Sequence, residues 1–184
     1  MSVGIILKRG PMPIKILPDT IASQIAAGEV VDRPSSVVKE LLENAIDAGA
    51  HQIEIEVMQA GRRLIQVTDD GCGIPTDELT LAVCRHATSK LSKAEDLFNI
   101  RTLGFRGEAL ASIGSVSRLS LITNTRENPV GAKLTVEGGE HVETTTIAAA
   151  AGTRVSVEDL FYNLPARLKF LKSDTTENRH ITGL

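Results

Sequence analysis

Two stretches in the first half of the chain alternate apolar and polar residues through most of their length, QIEIEVM over residues 52–58 and RLIQVTD over residues 63–69. Period two sends successive side chains to opposite faces, so each predicts a half-buried strand, and Gln59-Ala60-Gly61 between them closes a hairpin. The same period returns in SRLSLITN (117–124), GAKLTVEG (131–138) and GTRVSVED (152–159), with polar turns ENP and GGE between segments. These read as antiparallel neighbours in one sheet, and TIAAAAG (146–152) reads as a loop.

Helical spacing predicts four segments between these strands and ahead of them. The first covers residues 21–27, capped by Asp19 or Thr20 and stopped by Gly28. The second starts within residues 32–36, where Pro34 suits a first turn, and ends at Ala48-Gly49. A third runs from Thr76 to about Arg85, and a fourth from Gly107 through EALASI to about Gly114. Residues 86–103 are polar and weakly periodic, the best candidate for a mobile loop. From Pro165, a basic helix start sets Arg167, Lys169 and Lys172 around Phe170 and Leu171, a pattern that usually means a solvated face. Helices and strands intermix, with no internal repeat or linker. The expected fold is one α/β two-layer sandwich, its helices on one face of a mixed, mostly antiparallel sheet.

Composition narrows the chemistry. The chain has 184 residues, 42% hydrophobic and 23% charged, enough for one domain with a sizeable core. Aromatics are 3% and Trp is absent, so stacking platforms for single-stranded nucleic acid are scarce. A net charge of −3 and a pI near 5.8 give no global basic footprint for DNA or an anionic membrane. The two cysteines, Cys72 and Cys84, form no disulfide framework and read as reduced thiols of an intracellular protein. Grouping them with His86 as zinc ligands fits no recognised spacing, and Cys72 as a nucleophile has no partner base nearby in sequence. No stretch approaches the ~18 apolar residues of a membrane span, and the short apolar run at residues 3–7 is no secretory leader. The expected location is the cytoplasm.

KELLENAIDAGA (39–50) breaks local rules. At a step of roughly 100° per residue, Glu40, Glu43, Asn44 and Asp47 share one arc, opposite Val38, Leu41, Leu42, Ala45 and Gly49. Asn44 is a poor mid-helix residue, and Asp47 stands where the helix dipole disfavours negative charge. Rules broken together point to a site. DDGCGI (69–74) follows directly on a predicted strand, so Asp69 offers a fixed carboxylate while Gly71 and Gly73 let the backbone turn and approach a ligand. GFRGEALAS (104–112) is a glycine-punctuated entry to a helix, a geometry that aims free N–H groups at phosphate. Neither G-x-x-x-x-G-K-[ST] nor G-x-G-x-x-G occurs, which excludes the P-loop and Rossmann modes.

The order of these motifs, closed by Gly152-Thr153 at a strand start, resembles the GHKL ATPases, the family of gyrase B, Hsp90, histidine kinases and MutL. VVKELLENAIDAGA, DDGCGI, RHATSK and LGFRGEALASI resemble its MutL branch of DNA mismatch repair proteins, as do IASQIAAGEVVDRPSSVVKE and DLFYNLPARLKFL. The resemblance runs from Met12 to about the end; residues 1–11 fall outside it and are expected to be a poorly ordered extension. It implies a two-layer Bergerat-type sandwich and a Mg²⁺-dependent ATPase. Glu40 would be the general base toward water, Asn44 the Mg²⁺ ligand, and Asp47 a residue at the nucleotide edge. Asp69 would accept from the adenine amine with Thr153 in support, and Gly71 and Gly73 would shape that turn. Lys90, Gly104, Phe105, Arg106, Gly107 and Leu110 would complete the ATP contacts, with residues 86–107 as a lid. Further implications are an ATP-dependent homodimer using residues 12–31, a MutS-type mismatch recognition partner, and a downstream endonuclease and helicase. DNA would be bound mainly by regions outside these residues, as would a lysine on the γ-phosphate. The segment is therefore expected to be monomeric and a weak ATPase. A histidine kinase of the same fold, or a nucleotide-binding adaptor that does not hydrolyse, are the rival readings.

Overall fold

The computed structural model describes residues 15–88, 103–104 and 107–184. All five segments of period two form strands: β1 (Ile53–Met58), β2 (Leu64–Asp69), β3 (Arg118–Asn124), β4 (Gly131–Glu137) and, after one more strand, β6 (Gly152–Glu158). The additional strand is β5 (Glu140–Ile147), which the alternation does not announce. It lies at the sheet edge with residues 140–146 exposed, so nothing selects apolar residues on either face. The sheet order is β1-β2-β6-β3-β4-β5, and every pairing is antiparallel. β6 thus inserts between two hairpins distant in sequence, bringing the end of β2 beside the end of β3 with one strand between.

One face of this sheet carries the core. Ile65, Val67, Leu119, Leu121, Leu134 and Val157 are at most 2% exposed, each burial contributing about 1.5–3 kcal/mol. The other face presents Gln66, Ser120, Thr135 and Ser156 in register across four strands. The helices are α1 (Asp19–Val30), α2 (Pro34–Asp47), α3 (Leu79–Ala82), α4 (Ala109–Ser115), α5 (Pro165–Phe170) and α6 (Asp174–Thr182). α2 lies on β2 and buries Val37, Val38, Leu41 and Ala45, while α1 packs on α4.

Four helix expectations are corrected. Gly28 does not stop α1, which continues to Val30, because Arg167 of α5 supplies the missing cap: its Nη1 donates to the carbonyls of Gly28 and Val31, both at 3.3 Å. Arg167 is consequently half-buried over the Phe161 ring at 5.7 Å and does not belong to a solvated face. The third helix shrinks to Leu79–Ala82, since only Leu79 is buried and Leu81 is 57% exposed. The fourth begins at Ala109, two residues after Gly107.

Candidate functional site

At one end of the sheet, the buried row Val67–Val155–Leu121 is continued two residues on by Asp69, Thr153 and Thr123. Polar groups replace apolar ones where the helical layer stops covering the strands. Asp69 is half-buried; its Oδ1 accepts the Gly71 N–H at 2.8 Å, and the backbone of Thr153, its partner in register, also favours the charged carboxylate. Burial pushes the Asp69 pKa above the usual carboxylate range, against those two influences and with a smaller upward push from Asp70. Thr123, 1% exposed, takes the Ile74 N–H on its hydroxyl at 2.8 Å. Thr123 was not among the residues singled out from the sequence.

The turn after β2 is wedged between α2 and β3. Cys72 N–H donates to Ala48 O at 3.0 Å, at the C-terminal cap of α2, and Gly73 lies against the backbone of Asn124 at the end of β3. Asp70 anchors the turn from behind, accepting the N–H groups of Gln52 and His51 at 2.8 and 2.7 Å, which hold its carboxyl below the usual range. The end of α2 and Asp69 therefore line the same side of the sheet.

Along α2, Glu40, Asn44 and Asp47 are half-buried on the border between the core side and solvent. Glu43 is half-buried as well, its side chain 19% exposed, and pairs with the exposed Lys39 at 3.6 Å. Asp47 uses both oxygens on backbone, Oδ1 accepting from Leu103 N–H at 3.1 Å and Oδ2 from Gly104 N–H at 3.2 Å. Glu40 stands two turns, about 10 Å, up the helix from Asp47, with Asn44 between them. His86 Nδ1 lies 3.2 Å from Glu108 Oε1, and Gly107 packs on Ala87, so RHATSK begins where LGFRGE ends. Leu110, on α4, is half-buried against the core. Lys90, Phe105 and Arg106 lie outside the described residues.

Two hollows differ in their chemistry. One of about 390 Å³ between α2, β1 and α6 is lined by Val38, Leu42, Ile55, Val57 and Ile181 and carries no charged side chain. One of about 240 Å³ is lined by Thr68, Asp69, Ile122, Thr153, Arg154 and residues 147–152, so it borders the Asp69–Thr153 pair. Among the described residues, no three His, Cys, Asp or Glu side chains cluster as a metal site, and Cys72 and Cys84 are both exposed thiols. No helix among them is long and apolar enough to cross a membrane.

A helix of acids and amide set against the carboxylate end of an antiparallel sheet defines a class of ATPase domain, and comparison agrees: residues 32–161 match the family model described as histidine kinase-, DNA gyrase B- and HSP90-like ATPase, and the chain belongs to that family. Its relatives narrow the assignment. The DNA mismatch repair protein MutL of Porphyromonas gingivalis is 55% identical over 168 residues, 91% of this chain and 27% of that protein. That of Bradyrhizobium diazoefficiens is 61% identical over 166 residues, covering 90% and 27% respectively. Among solved structures, the Aquifex aeolicus MutL ATPase domain complexed with ADP is 36% identical with a TM-score of 0.64, covering 84% of this chain and 53% of that one. Within the ATPase family the chain is of the MutL branch, and it spans about a quarter of the length of these curated relatives.

Proposed function

We propose that this chain binds ATP at the end of β2 and contributes the hydrolytic residues of a MutL-type ATPase. The observation that carries the reading is Asp69, a half-buried carboxylate fixed by the Gly71 N–H beside the end of α2. An anion held there accepts from an exocyclic amine, and the related domain with ADP bound supports a nucleotide in this fold. Glu40 serves as general base toward the attacking water, a role that needs a carboxylate one water from phosphorus. Asp47, Gly104, Gly107 and Leu110 serve the phosphate side of the nucleotide, a role assigned to Lys90, Phe105 and Arg106 from the sequence resemblance alone.

The donor set fits Mg²⁺. Asn44 offers a neutral amide oxygen, half-buried and one turn from Glu40, and a hard cation that keeps waters and phosphate oxygens needs few protein ligands. When bound, Mg²⁺ neutralises phosphate charge. Asn44 would hold the ion, and Glu40 takes the water proton.

In a chain of the relatives' length, ATP binding is coupled to homodimerisation through the N-terminal segment. It also links MutS-type mismatch recognition to the endonuclease and helicase that act on the DNA strand, in the cytoplasm. The test is a titration of Mg-ATP against thermal stability. A specific ligand raises the melting temperature with its concentration, as RT ln(1 + [L]/Kd). A melting temperature indifferent to millimolar ATP refutes the reading. Labelled ATP then yields free phosphate and no phosphohistidine.

A further inference from the structure

Thr123 touches three groups at once. Its Oγ1 receives the Ile74 N–H at 2.8 Å, and it lies 3.1 Å from Gly152 O and 3.1 Å from Thr153 Oγ1. A hydroxyl has one proton and two acceptor lone pairs. Gly152 O only accepts, so it takes the Thr123 proton; Ile74 N–H only donates, so it fills one lone pair. The contact with Thr153 is then a hydrogen bond only if Thr153 donates into the remaining lone pair. A single arrangement satisfies all three. Its consequence is that the Thr153 proton is spent inward, and its oxygen presents only acceptor capacity elsewhere.

Asp69 faces Thr153 in register on the neighbouring strand, and as a carboxylate it too only accepts. Neighbouring strands lie about 4.8 Å apart, which sets the scale of the gap between the two side chains. A primary amino group, whose two protons diverge by about 120°, reaches two oxygens roughly 5 Å apart at ordinary hydrogen-bond length. We propose that Thr123 is a positioning residue for base specificity: by fixing the direction of the Thr153 proton it makes the Asp69–Thr153 pair an acceptor-only edge that admits a purine 6-amino group and rejects a 6-carbonyl. This rests on the reading of Asp69 as the adenine contact. With Thr123 unable to accept, the Thr153 proton is free to turn outward and meet a carbonyl.

ATP and ITP differ at that position, so the test is the ratio of their dissociation constants, measured by calorimetry on the whole 184-residue chain. Thr123→Val narrows the ATP preference about tenfold, the worth of one misdirected hydrogen bond, while Thr123→Ser keeps the parental ratio. Should Thr123→Val not fold, Thr153→Val is read instead; it loses ATP affinity and leaves ITP unchanged. Equal weakening of both nucleotides by Thr123→Val, with the ratio preserved, overturns the proposal, because Thr123 then serves only to hold Ile74. Parental protein that binds ATP without preference over ITP overturns it as well, whereas parental protein that binds neither overturns the nucleotide reading itself.

Discussion

Asp47 and Gly104, 57 residues apart in sequence, are joined by a hydrogen bond of 3.2 Å in which the last turn of α2 holds the glycine-rich segment by its backbone. The second oxygen of the same carboxylate takes Leu103 N–H at 3.1 Å. Hydrogen bonds to a charged acceptor are each worth about 1.5–3 kcal/mol. Asp47→Ala is therefore expected to raise amide hydrogen exchange in a peptide covering residues 103–104 by at least about tenfold, since both N–H groups lose their acceptor together. Unchanged exchange would show that the segment is held by something else.

The placement of Glu40, half-buried on α2 and two turns from Asp47, gives a separable prediction. A general base acts on the water in the transition state and contributes little to holding ground-state nucleotide. In a chain extended to the length of the relatives, Glu40→Ala lowers ATP turnover by about a hundredfold or more and leaves the ATP dissociation constant within about threefold of the parent. Steady-state phosphate release and calorimetry check the two halves. Parental turnover in the variant would remove Glu40 from the chemistry.

Much of this was legible in the residues, and what was not has a common cause. Alternation exposed five strands, and the arc shared by Glu40, Asn44 and Asp47 marked α2, because period and helical angle are local properties. Asp69 was visible as a carboxylate ending an alternating run. Thr123 was not, since a threonine in a strand looks ordinary until the register sets it opposite Thr153, and that register joins segments 30 residues apart. Arg167 capping α1 across 139 residues is the same kind of fact. β5 escaped for the opposite reason: an exposed edge strand imposes no pattern for a reader to find.

Asp69 also couples the site to pH. Burial raises its folded pKa above the ordinary value of 3.8, so the native state binds this proton more tightly than the unfolded chain. Stability from this group is fully present below the unfolded pKa and is lost as pH rises through the folded one. Asp69→Asn removes that step. The difference in urea midpoint, variant minus parent, therefore shifts toward the variant as pH is raised from below 3.8 to neutrality, while the variant binds adenine nucleotides more weakly and guanine nucleotides no worse. A difference that is flat with pH would contradict the burial argument.

Gly152 is the tightest point of the fold beside the site, and Gly49 supplies its control. Gly152 has φ +117, and a Cβ built there falls 2.0 Å from the carbonyl oxygen of Asp69. Gly49, just beyond α2, has φ +71 and open space around the same position. Alanine at Gly49 meets only the left-handed backbone penalty, about 1 kcal/mol. At Gly152 the same substitution adds a collision with backbone that side-chain rotation cannot relieve, so β6 must part from β2 beside the Asp69–Thr153 pair. Gly152→Ala is expected to lower unfolding stability by more than about 2 kcal/mol and to weaken nucleotide binding, because displacing the Asp69 carbonyl moves the carboxylate with it. Gly49→Ala leaves binding untouched. Denaturant melts of both variants, paired with ATP titration, separate backbone strain from loss of the site, and equal costs at the two positions would mean that β2 and β6 are not packed this closely.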